Sequence, residues 1–235
     1  MKNNEIVVKD LGVLSYDKSW EHQKRIFDNI VSQKINNRTL KKKIKTENHL
    51  LIVEHKPIYT IGKSGEISNL LLDDQELKLK GIDFKKINRG GDITFHGLGQ
   101  IVGYPILDLD NFFTDIGLYL RTLEEVIIST IGFFGIKGFR IDGETGVWVK
   151  DESNSLKKIC AFGIKASRWV TMHGFALNVN TDLTYFDNIV PCGISDKGVT
   201  SLQEILNQKI AIKTVKEKLY ENIARLFNAE LSMTN

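Results

Sequence analysis

The sequence is poor in cysteine and proline, and it has no long apolar run. Its 235 residues include two cysteines and three prolines. Two cysteines are too few for the disulfide framework of a small secreted domain. No apolar run is long enough to span a bilayer, and the first residues, MKNNEIVVKD, lack the apolar region of a secretory signal. These absences predict a reduced cytoplasmic protein that does not associate with membranes.

Charge gives a second exclusion. The net charge of +3 is too small to indicate a protein that binds nucleic acid. One basic run, RTLKKKIK at residues 38–45, stands out locally. It fits a solvated helix end, and it also fits a docking patch for an acidic partner. Both interpretations stay open at this point.

The three prolines are scattered, and no Pro/Gly/Ser-rich linker interrupts the chain. We therefore expect residues 1–235 to form a single domain. The run EIVVKDLGVLSY predicts two strands joined by a turn near Gly12. Other runs rich in β-branched or apolar residues predict further strands: HLLIVEH, PIYTIG, IDFKKI, IKGFRI, TGVWV, KKICAFGIKAS and WVTMHGFALNVN.

Helical periodicity appears between these strands. A first helix is expected from a cap at Asp17 to about Asn36, a second from a cap at Ser68 to Gly81, a third over residues 114–131 and a last one over about 213–228. Helices interspersed with hairpin-like strands predict an α/β fold of the α+β type. We expect a mixed, largely antiparallel sheet flanked by helices rather than a doubly wound parallel sheet.

The stretch RGGDITFHGLGQ places a positive charge, two glycines and a histidine close together. It is not a phosphate-binding loop, because no Gly-Lys-Ser/Thr follows, and its glycines do not lie between a strand and a helix. Gly90 and Gly91 let the backbone approach a ligand closely, and Arg89 can pair with a carboxylate, a phosphate or backbone carbonyls. His96 fits a ligand pocket or a structural role. Gly174, in MHGFALNVN, marks a close ligand approach or an irregular core strand.

The two cysteines differ in their surroundings. Cys192 lies between Pro191 and Gly193 on a shaped loop, which suits a nucleophile as well as a structural residue. Cys160 lies in the apolar run KICAFG and is interpreted as a core residue.

A thiol must lose its proton to attack well, so a nucleophilic cysteine needs a base. His96, His173 or a lysine could serve. Lys158 enters an apolar strand, where lost hydration lowers the pKa of a lysine. We interpret its neighbour Lys157 as a surface residue, whereas the sequence does not decide for Lys158.

Several motifs together resemble the lipoyl(octanoyl) transferases, which move an octanoyl chain from acyl carrier protein to a lysine of a lipoyl domain. The resemblance covers roughly residues 5–206. Its motifs are EHKPIYTIGKSG, RGGDITFHGLGQIVGYPILDL, GVWV, KKICAFGIKASRWVTMHGFALNVNTDLTYFDNIVPCGI and VTSL, in the order expected of that family. The resemblance implies the catalytic-domain fold of biotin and lipoate protein ligases, which is related to class II synthetases.

The resemblance also implies the site. It places the acyl-thioester nucleophile on Cys192 and the lysine that tunes its pKa on Lys158. It places the pocket for the acyl substrate on Arg89, Gly90, Gly91, Asp92, Ile93, Thr94, Phe95, His96, Ala161, Phe162, Gly163, Gly174, Phe175 and Ala176.

The implied reaction takes octanoyl-acyl carrier protein as donor. The acceptors are the lipoyl domains of 2-oxoacid dehydrogenase complexes and the H protein of glycine cleavage. The thioester supplies the driving force, so neither ATP nor a metal is expected, and we expect a monomer.

Four other functions are compatible with parts of this sequence. A lipoate or biotin ligase would share the fold but would activate a free acid with ATP. An amidotransferase would differ in its donor, a non-catalytic binding module would not need Cys192 or Lys158, and a cysteine hydrolase would pair its thiol with a histidine.

Overall fold

The computed structural model describes residues 2–41, 43–190 and 197–234. The strands are β1 (Glu5–Leu14), β2 (His49–His55), β3 (Ile58–Ile61), β4 (Asp83–Lys86), β5 (Ile93–His96), β6 (Gln100–Ile106), β7 (Val147–Lys150), β8 (Leu156–Ser167), β9 (Val170–Asn178), β10 (Gly198–Val199) and β11 (Glu230–Thr234). The helices are α1 (Tyr16–Thr39), α2 (Asp74–Lys80), α3 (Ile116–Gly132), α4 (Leu202–Leu206) and α5 (Ile212–Phe227).

Among the described residues, eight strands form a main sheet in the order β10-β8-β9-β6-β2-β1-β11, with β7 paired to β8. The centre of the sheet, from β2 through β6 and β9 to β8, is antiparallel. Towards the edges, β1 pairs in parallel with β2 and β11, and β10 pairs in parallel with β8. This mixed sheet confirms the predicted fold class.

Helices cover both faces of the main sheet. On one face, α3 and α5 pack through a stripe of apolar side chains, of which Val215, Leu219 and Ile223 on α5 are buried. Their spacing of four residues keeps them on one side of a helix. On the other face lies α1, whose Phe27 and Ile30 pack on β2, β6 and β9.

A smaller sheet, in the order β4-β3-β5, lies beside the main one and has its own apolar cluster. Phe95 on β5 is part of that cluster, and its ring stacks on Tyr185 with the centroids 4.4 Å apart. The loop between β4 and β5 carries the Arg-Gly-Gly sequence, so the small sheet holds this loop over the main sheet.

Two strand predictions are wrong. EIVVKDLGVLSY forms the single strand β1 instead of a pair, with an irregular register between Asp10 and Val13. Gly12, at a φ of 60°, bends the strand there without reversing it. IKGFRI forms no strand within residues 136–141 and contributes only an isolated bridge from Phe139 to Trp148.

The predicted helices differ from the observed helices mainly in the residue at which they begin. The second helix begins after Asp73, whose side chain accepts two backbone N–H groups in a capping box with Glu76, and not after Ser68. The first helix begins after Ser15 rather than Asp17 and continues to Thr39. No helix in residues 2–41, 43–190 and 197–234 is long and apolar enough to cross a membrane.

Candidate active site

A cavity of about 380 Å³ lies between the main sheet and the loop that precedes β5. Residues of β6, β8 and β9 form its floor, and the Arg-Gly-Gly loop with β5 forms its roof. It follows β8 from Lys158 to Gly163, which is roughly 16 Å in an extended strand. Tyr16, at the start of α1, lines the cavity together with Tyr104 of β6.

Most of the residues that the sequence placed in one pocket do line this cavity. Those on its wall are Arg89, Gly91, Asp92, Ile93, Thr94, His96, Lys158, Ala161, Phe162, Gly163, Gly174, Phe175 and Ala176. Gly90 and Phe95 are not among the lining residues. The Gly90 N–H donates to the Ile164 carbonyl at 2.9 Å, so this amide is not available to a substrate oxygen.

Two glycines allow close packing around the cavity: Gly163 lets the floor strand β8 approach Arg89 of the roof, and Gly174 lets β9 approach the neighbouring floor strand β6. A Cβ on Gly163 would lie 2.8 Å from Cδ of Arg89, and a Cβ on Gly174 would lie 2.2 Å from the Gly103 carbonyl oxygen. Both distances are shorter than real Cβ contacts. These glycines are therefore required by close packing around the cavity. For Gly174 the close approach is that of the β6 backbone and not that of a ligand.

Arg89 holds the roof in place. Its side chain is buried, and its guanidinium donates to the carbonyl of Gly90 at 3.0 Å and to the carbonyl and hydroxyl of Thr60 at 2.9 and 3.0 Å. Burial lowers the pKa of Arg89 from its usual value. Of the partners that the sequence allowed for Arg89, the structure shows backbone carbonyls, which tie the loop to β3.

One side of the cavity is polar. His96 Nδ1 is 2.8 Å from the Gln100 side-chain oxygen, and Gln100 donates to Asn178 at 2.8 Å. Asn178 in turn donates to the Thr200 carbonyl at 3.0 Å, and the Thr200 N–H donates to the Lys158 carbonyl at 3.0 Å. This chain of hydrogen bonds connects the histidine to the strand that carries the lysine.

His173 has an unusual backbone for a strand residue. Its φ of 61° lies in the left-handed region, and its N–H donates to the Gln23 side-chain oxygen of α1 at 3.1 Å. A non-glycine residue in this conformation costs free energy, so surrounding contacts must hold it. The contact with α1 is one such constraint, and it fixes the helix against the cavity floor.

Lys158 lies at one end of the cavity. Its Nζ is 4.5 Å from the centre of the Trp148 ring, which is fully buried. Burial, as the largest cause, lowers the pKa of Lys158 from its usual value. Lys157 is not a lining residue, and its Nζ lies 3.8 Å from an Asp151 oxygen. Consecutive strand residues point to opposite faces, which separates the two lysines.

The two cysteines are in different positions relative to the described residues. Cys192, the predicted nucleophile, lies outside them. Cys160 is buried in the main core cluster, as expected, and it also touches the cavity floor. Burial raises its pKa well above the usual value, which makes it a poor nucleophile.

The sequence analysis missed several lining residues: Tyr16, Ser64, Ile87, Gln100, Val102, Tyr104, Gly143, Glu144, Thr145, Asn178, Phe186 and Val199. Some carried a detectable signal. Gln100, Val102 and Tyr104 alternate along one strand, so a period of two would have grouped them on one face. Glu144 lies in a loop, where no periodicity exists to indicate its direction.

The basic run at residues 38–45 follows the far end of α1 from the cavity. Tyr16 and Arg38 are separated by 22 residues of the same helix, which is roughly 33 Å along its axis. A partner that binds this run and also reaches the cavity would have to span that distance.

Comparison with known proteins assigns the chain to a family. A sequence profile described as the lipoyl protein ligase A/B catalytic domain matches residues 15–224. An octanoyltransferase of Christiangramia forsetii is 57% identical over 230 residues, which cover 97% of this chain and 98% of that relative. An octanoyltransferase of Flavobacterium johnsoniae is 55% identical over 230 residues, covering 97% and 99%. The chain belongs to the lipoyl(octanoyl) transferase family.

Membership of this family makes the chain an acyltransferase, since these near-full-length relatives are octanoyltransferases. The fold agrees. A bipartite lipoate protein ligase from Thermoplasma acidophilum superimposes with a TM-score of 0.71, covering 100% of this chain and 88% of that chain at 15% identity. At such low identity the likeness shows the fold alone, and it confirms the predicted lipoate-ligase-like architecture of the transferase.

Proposed function

We propose that the protein transfers an octanoyl group from octanoyl-acyl carrier protein, through a thioester on Cys192, to the target lysine of lipoyl domains. The observation that carries this proposal is the position of Lys158. It is a lysine whose pKa is lowered by burial, at one end of a cavity with apolar walls. Such an amine can take a proton from a thiol and return it to a leaving group.

The cavity suits an alkyl chain. Ala161, Phe162, Phe175 and Ala176 supply apolar surface from the floor, and Ile93 supplies it from the roof. Burying each methylene of an acyl chain against such surface contributes about 0.8 kcal/mol. The chain would lie along β8 with its carbonyl carbon near Lys158.

In the first half-reaction, the Cys192 thiol gives its proton to the Lys158 amine. The thiolate attacks the thioester carbonyl, a new C–S bond forms, and the C–S bond to the carrier breaks. The departing carrier thiolate takes the proton back from the Lys158 ammonium. One thioester replaces another, so the acyl-enzyme forms at almost no cost in bond energy.

In the second half-reaction, the acceptor lysine attacks the acyl-enzyme as a neutral amine. The C–N bond forms, the C–S bond to Cys192 breaks, and the amine proton passes through Lys158 to the cysteine. The amide is more stable than the thioester. The proposal therefore needs neither ATP nor a metal, because the thioester donor supplies the driving force.

An intact-mass experiment tests the donor and the nucleophile together. Mixing the protein with octanoyl-acyl carrier protein should give an octanoyl adduct that hydroxylamine removes. Cys192→Ser should prevent the adduct or convert it to a stable ester. An enzyme that instead modifies a lipoyl domain from free octanoate only when ATP is present would be a ligase, and the proposal would be wrong.

Lys158 offers a test with a matched neighbour. Lys158→Ala should slow formation of the acyl-enzyme by roughly 10²–10⁴-fold near neutral pH, the usual contribution of a general base. Lys157→Ala removes a lysine one residue away, beside Asp151 and outside the cavity, and should keep the wild-type rate. The measurement is stopped-flow or quenched acylation followed by mass. Equal rates for the two variants would exclude Lys158 as the base.

A further inference from the structure

Lys158 shares its surroundings with a second lysine. Lys197 Nζ is 5.5 Å from the centre of the same Trp148 ring that lies under Lys158 Nζ. Lys197 also forms an ion pair with Glu144, and both partners are largely buried. Glu144 lines the cavity together with Lys158. Two amines and one carboxylate therefore meet at this end of the cavity, and the carboxylate is paired with the lysine that is not the proposed base.

The loop that carries Glu144 is fixed by a separate set of contacts. Glu124, fully buried on α3, accepts the Gly146 N–H at 3.0 Å and pairs with Arg121 and Arg140 at 2.6 and 3.1 Å. These bonds hold residues 140–146 from both ends. The fold therefore fixes the position of Glu144. Which of the two lysines pairs with it depends on where their side chains lie.

The other lysine is placed by strand pairing. Val199 of β10 pairs with Lys158 of β8, and Gly198 pairs with Lys157. Lys197 therefore enters the sheet directly beside the strand that carries Lys158. The backbone register brings the two lysines together.

We propose that Lys197 is a positioning residue for the transferase: by pairing with Glu144, it keeps this carboxylate from pairing with Lys158 and so leaves Lys158 as a neutral amine. The inference rests on the proposed role of Lys158 as the base. It adds a three-residue arrangement of Lys197, Glu144 and Lys158 that controls when the base is neutral.

The direction of each contribution follows from charge. The described charged groups that act on Lys158 are Glu144, whose carboxylate favours the ammonium form, and Lys197, which disfavours it. Cys160 also lies nearby, but burial raises its pKa well above the usual value, so it stays an uncharged thiol. The more distant Glu124 is paired with two arginines. Removing the Lys197 charge frees Glu144 to pair with Lys158, which raises the pKa of Lys158. Removing the Glu144 charge lowers it.

The test measures the ionisation of Lys158 directly. Competitive labelling with acetic anhydride, followed by peptide mass spectrometry at a series of pH values, gives the midpoint at which the Lys158 amine becomes reactive. Lys197→Met should raise this midpoint by roughly one pH unit, which corresponds to a tenfold change in the neutral fraction. Glu144→Gln should lower the midpoint, and the double variant should lie closer to wild type than Lys197→Met does.

The acylation rate should follow the same order. The acylation rate of Lys197→Met is expected to fall roughly tenfold near neutral pH and to recover as the pH rises. The reason is that each pH unit below the pKa changes the neutral fraction of the Lys158 amine tenfold. Lys197→Arg keeps the charge and should restore the wild-type profile. Lys157→Met is the matched control for losing a lysine charge on β8, and it should leave the midpoint unchanged.

A merely structural role for Lys197 would give a different pattern. The rate of Lys197→Met would then fall equally at every pH, and the labelling midpoint of Lys158 would not move in that variant or in Glu144→Gln. Either result overturns the inference. The proposed function fails separately, because wild-type acylation by Lys158→Ala excludes the base whatever the labelling midpoints are.

Discussion

At the scale of single residues, the transferase buries three histidines in neutral form: His96 and His173 line the cavity, and His55 packs against His96. Burial, as the largest cause, lowers the pKa of His55 to about 4 and those of His96 and His173 to about 3. His55 contacts the Leu14 carbonyl at 3.0 Å and the Tyr104 hydroxyl at 2.7 Å. Groups with such low pKa values are weak bases at neutral pH. His96 and His173, which the sequence left open as bases for the cysteine, are therefore poorly suited to that role at neutral pH.

These histidines predict how stability depends on pH. Each folded pKa is below the unfolded value of roughly 6.5, so the unfolded state binds more protons between the two values. The free energy of unfolding is therefore highest above roughly pH 6.5 and falls as the pH drops towards the folded pKa, by up to about 1.4 kcal/mol per pH unit for each histidine. Urea unfolding curves between roughly pH 6.5 and 5 measure this slope.

His55→Gln provides the comparison. The variant loses one titrating group from the cluster, so its stability should fall less steeply with decreasing pH, by up to about 1.4 kcal/mol per pH unit. The slope is the readout, because the substitution also changes packing at every pH. Parallel curves for wild type and variant would show that His55 is not held neutral by the fold.

The family resemblance implied the pocket residues, and the sequence itself pointed to the segment from Arg89 to His96, but neither indicated the ion pair next to Lys158. Arg89 to His96 are neighbours in the chain, and glycines among them indicate close approach. Glu144 and Lys197 are 53 residues apart, and each looks like an ordinary surface charge. The parallel pairing of β10 with β8 brings Lys197 to Lys158, and two residues of strand are too short to be predicted from periodicity. The contacts of Glu124 with Arg140 and Gly146 place Glu144 there, and these contacts have no local sequence pattern either.

At the scale of elements, helix α1 closes one side of the cavity. Tyr16 lies at its first residue, and its ring stacks near His96 with centroids 6.3 Å apart. A second cavity of about 630 Å³ lies beyond it, and Tyr16, Ile87 and His173 line both spaces. The start of α1 therefore forms part of the wall between the two cavities.

This wall predicts a limit on acyl chain length. Tyr16→Ala should connect the cavities, so that a dodecanoyl group can extend past the wall. The second cavity offers apolar surface at Trp20, Phe27 and Met172, but charged residues line much of the rest. The four additional methylenes should therefore gain less than the usual value of about 0.8 kcal/mol each, and the ratio of dodecanoyl to octanoyl acylation should rise roughly tenfold. Rates with the two acyl-carrier thioesters, measured side by side, give this ratio.

Tyr16→Phe is the matched control. It keeps the ring and removes a hydroxyl that has no hydrogen-bond partner among the described residues, so the octanoyl preference should be retained. If Tyr16→Ala folds and keeps the wild-type ratio, the chain does not extend towards α1. A ratio that rises in both variants would also contradict the proposal that the Tyr16 ring limits chain length, because the ring is still present in Tyr16→Phe.

Elements with strong periodicity were the ones that the sequence predicted well. α5 spans Ile212–Phe227, within one residue of the expected helix, because its apolar residues recur every four positions. β11 was not predicted, since ELSMT is short and mixed in polarity. We expected a turn where β1 only bends. A glycine marks both a hairpin turn and a bend within a strand, and Gly12 adopts the left-handed conformation that suits either one.

At the scale of the whole molecule, the two ends of the chain meet in the main sheet. Residues 5–9 of β1 pair with residues 230–234 of β11, and the Glu230 N–H donates to the Asn4 carbonyl at 3.1 Å. β1 lies between β2 and β11, so the first strand is not an edge of the sheet. Pairing across such a sequence separation cannot be read from local patterns. It explains why the sheet order, unlike the fold class, was not predicted.

The position of β11 predicts that the last strand contributes to stability and solubility but not to catalysis. Ending the chain after Ala229 keeps the cap of α5 at Asn228 but uncovers the edge of β1, and exposed edges promote association. We expect a loss of about 1–3 kcal/mol, which lowers Tm by roughly 2–10 °C in a chain of this size. Octanoyl transfer per folded molecule should be unchanged, because two strands, β1 and β2, lie between β11 and the nearest cavity strand, β6. Calorimetry, size-exclusion chromatography and acylation assays measure the three effects, with exposed Met233→Ala as a neutral control. A truncated chain with wild-type Tm and no self-association would show that β11 does not protect β1.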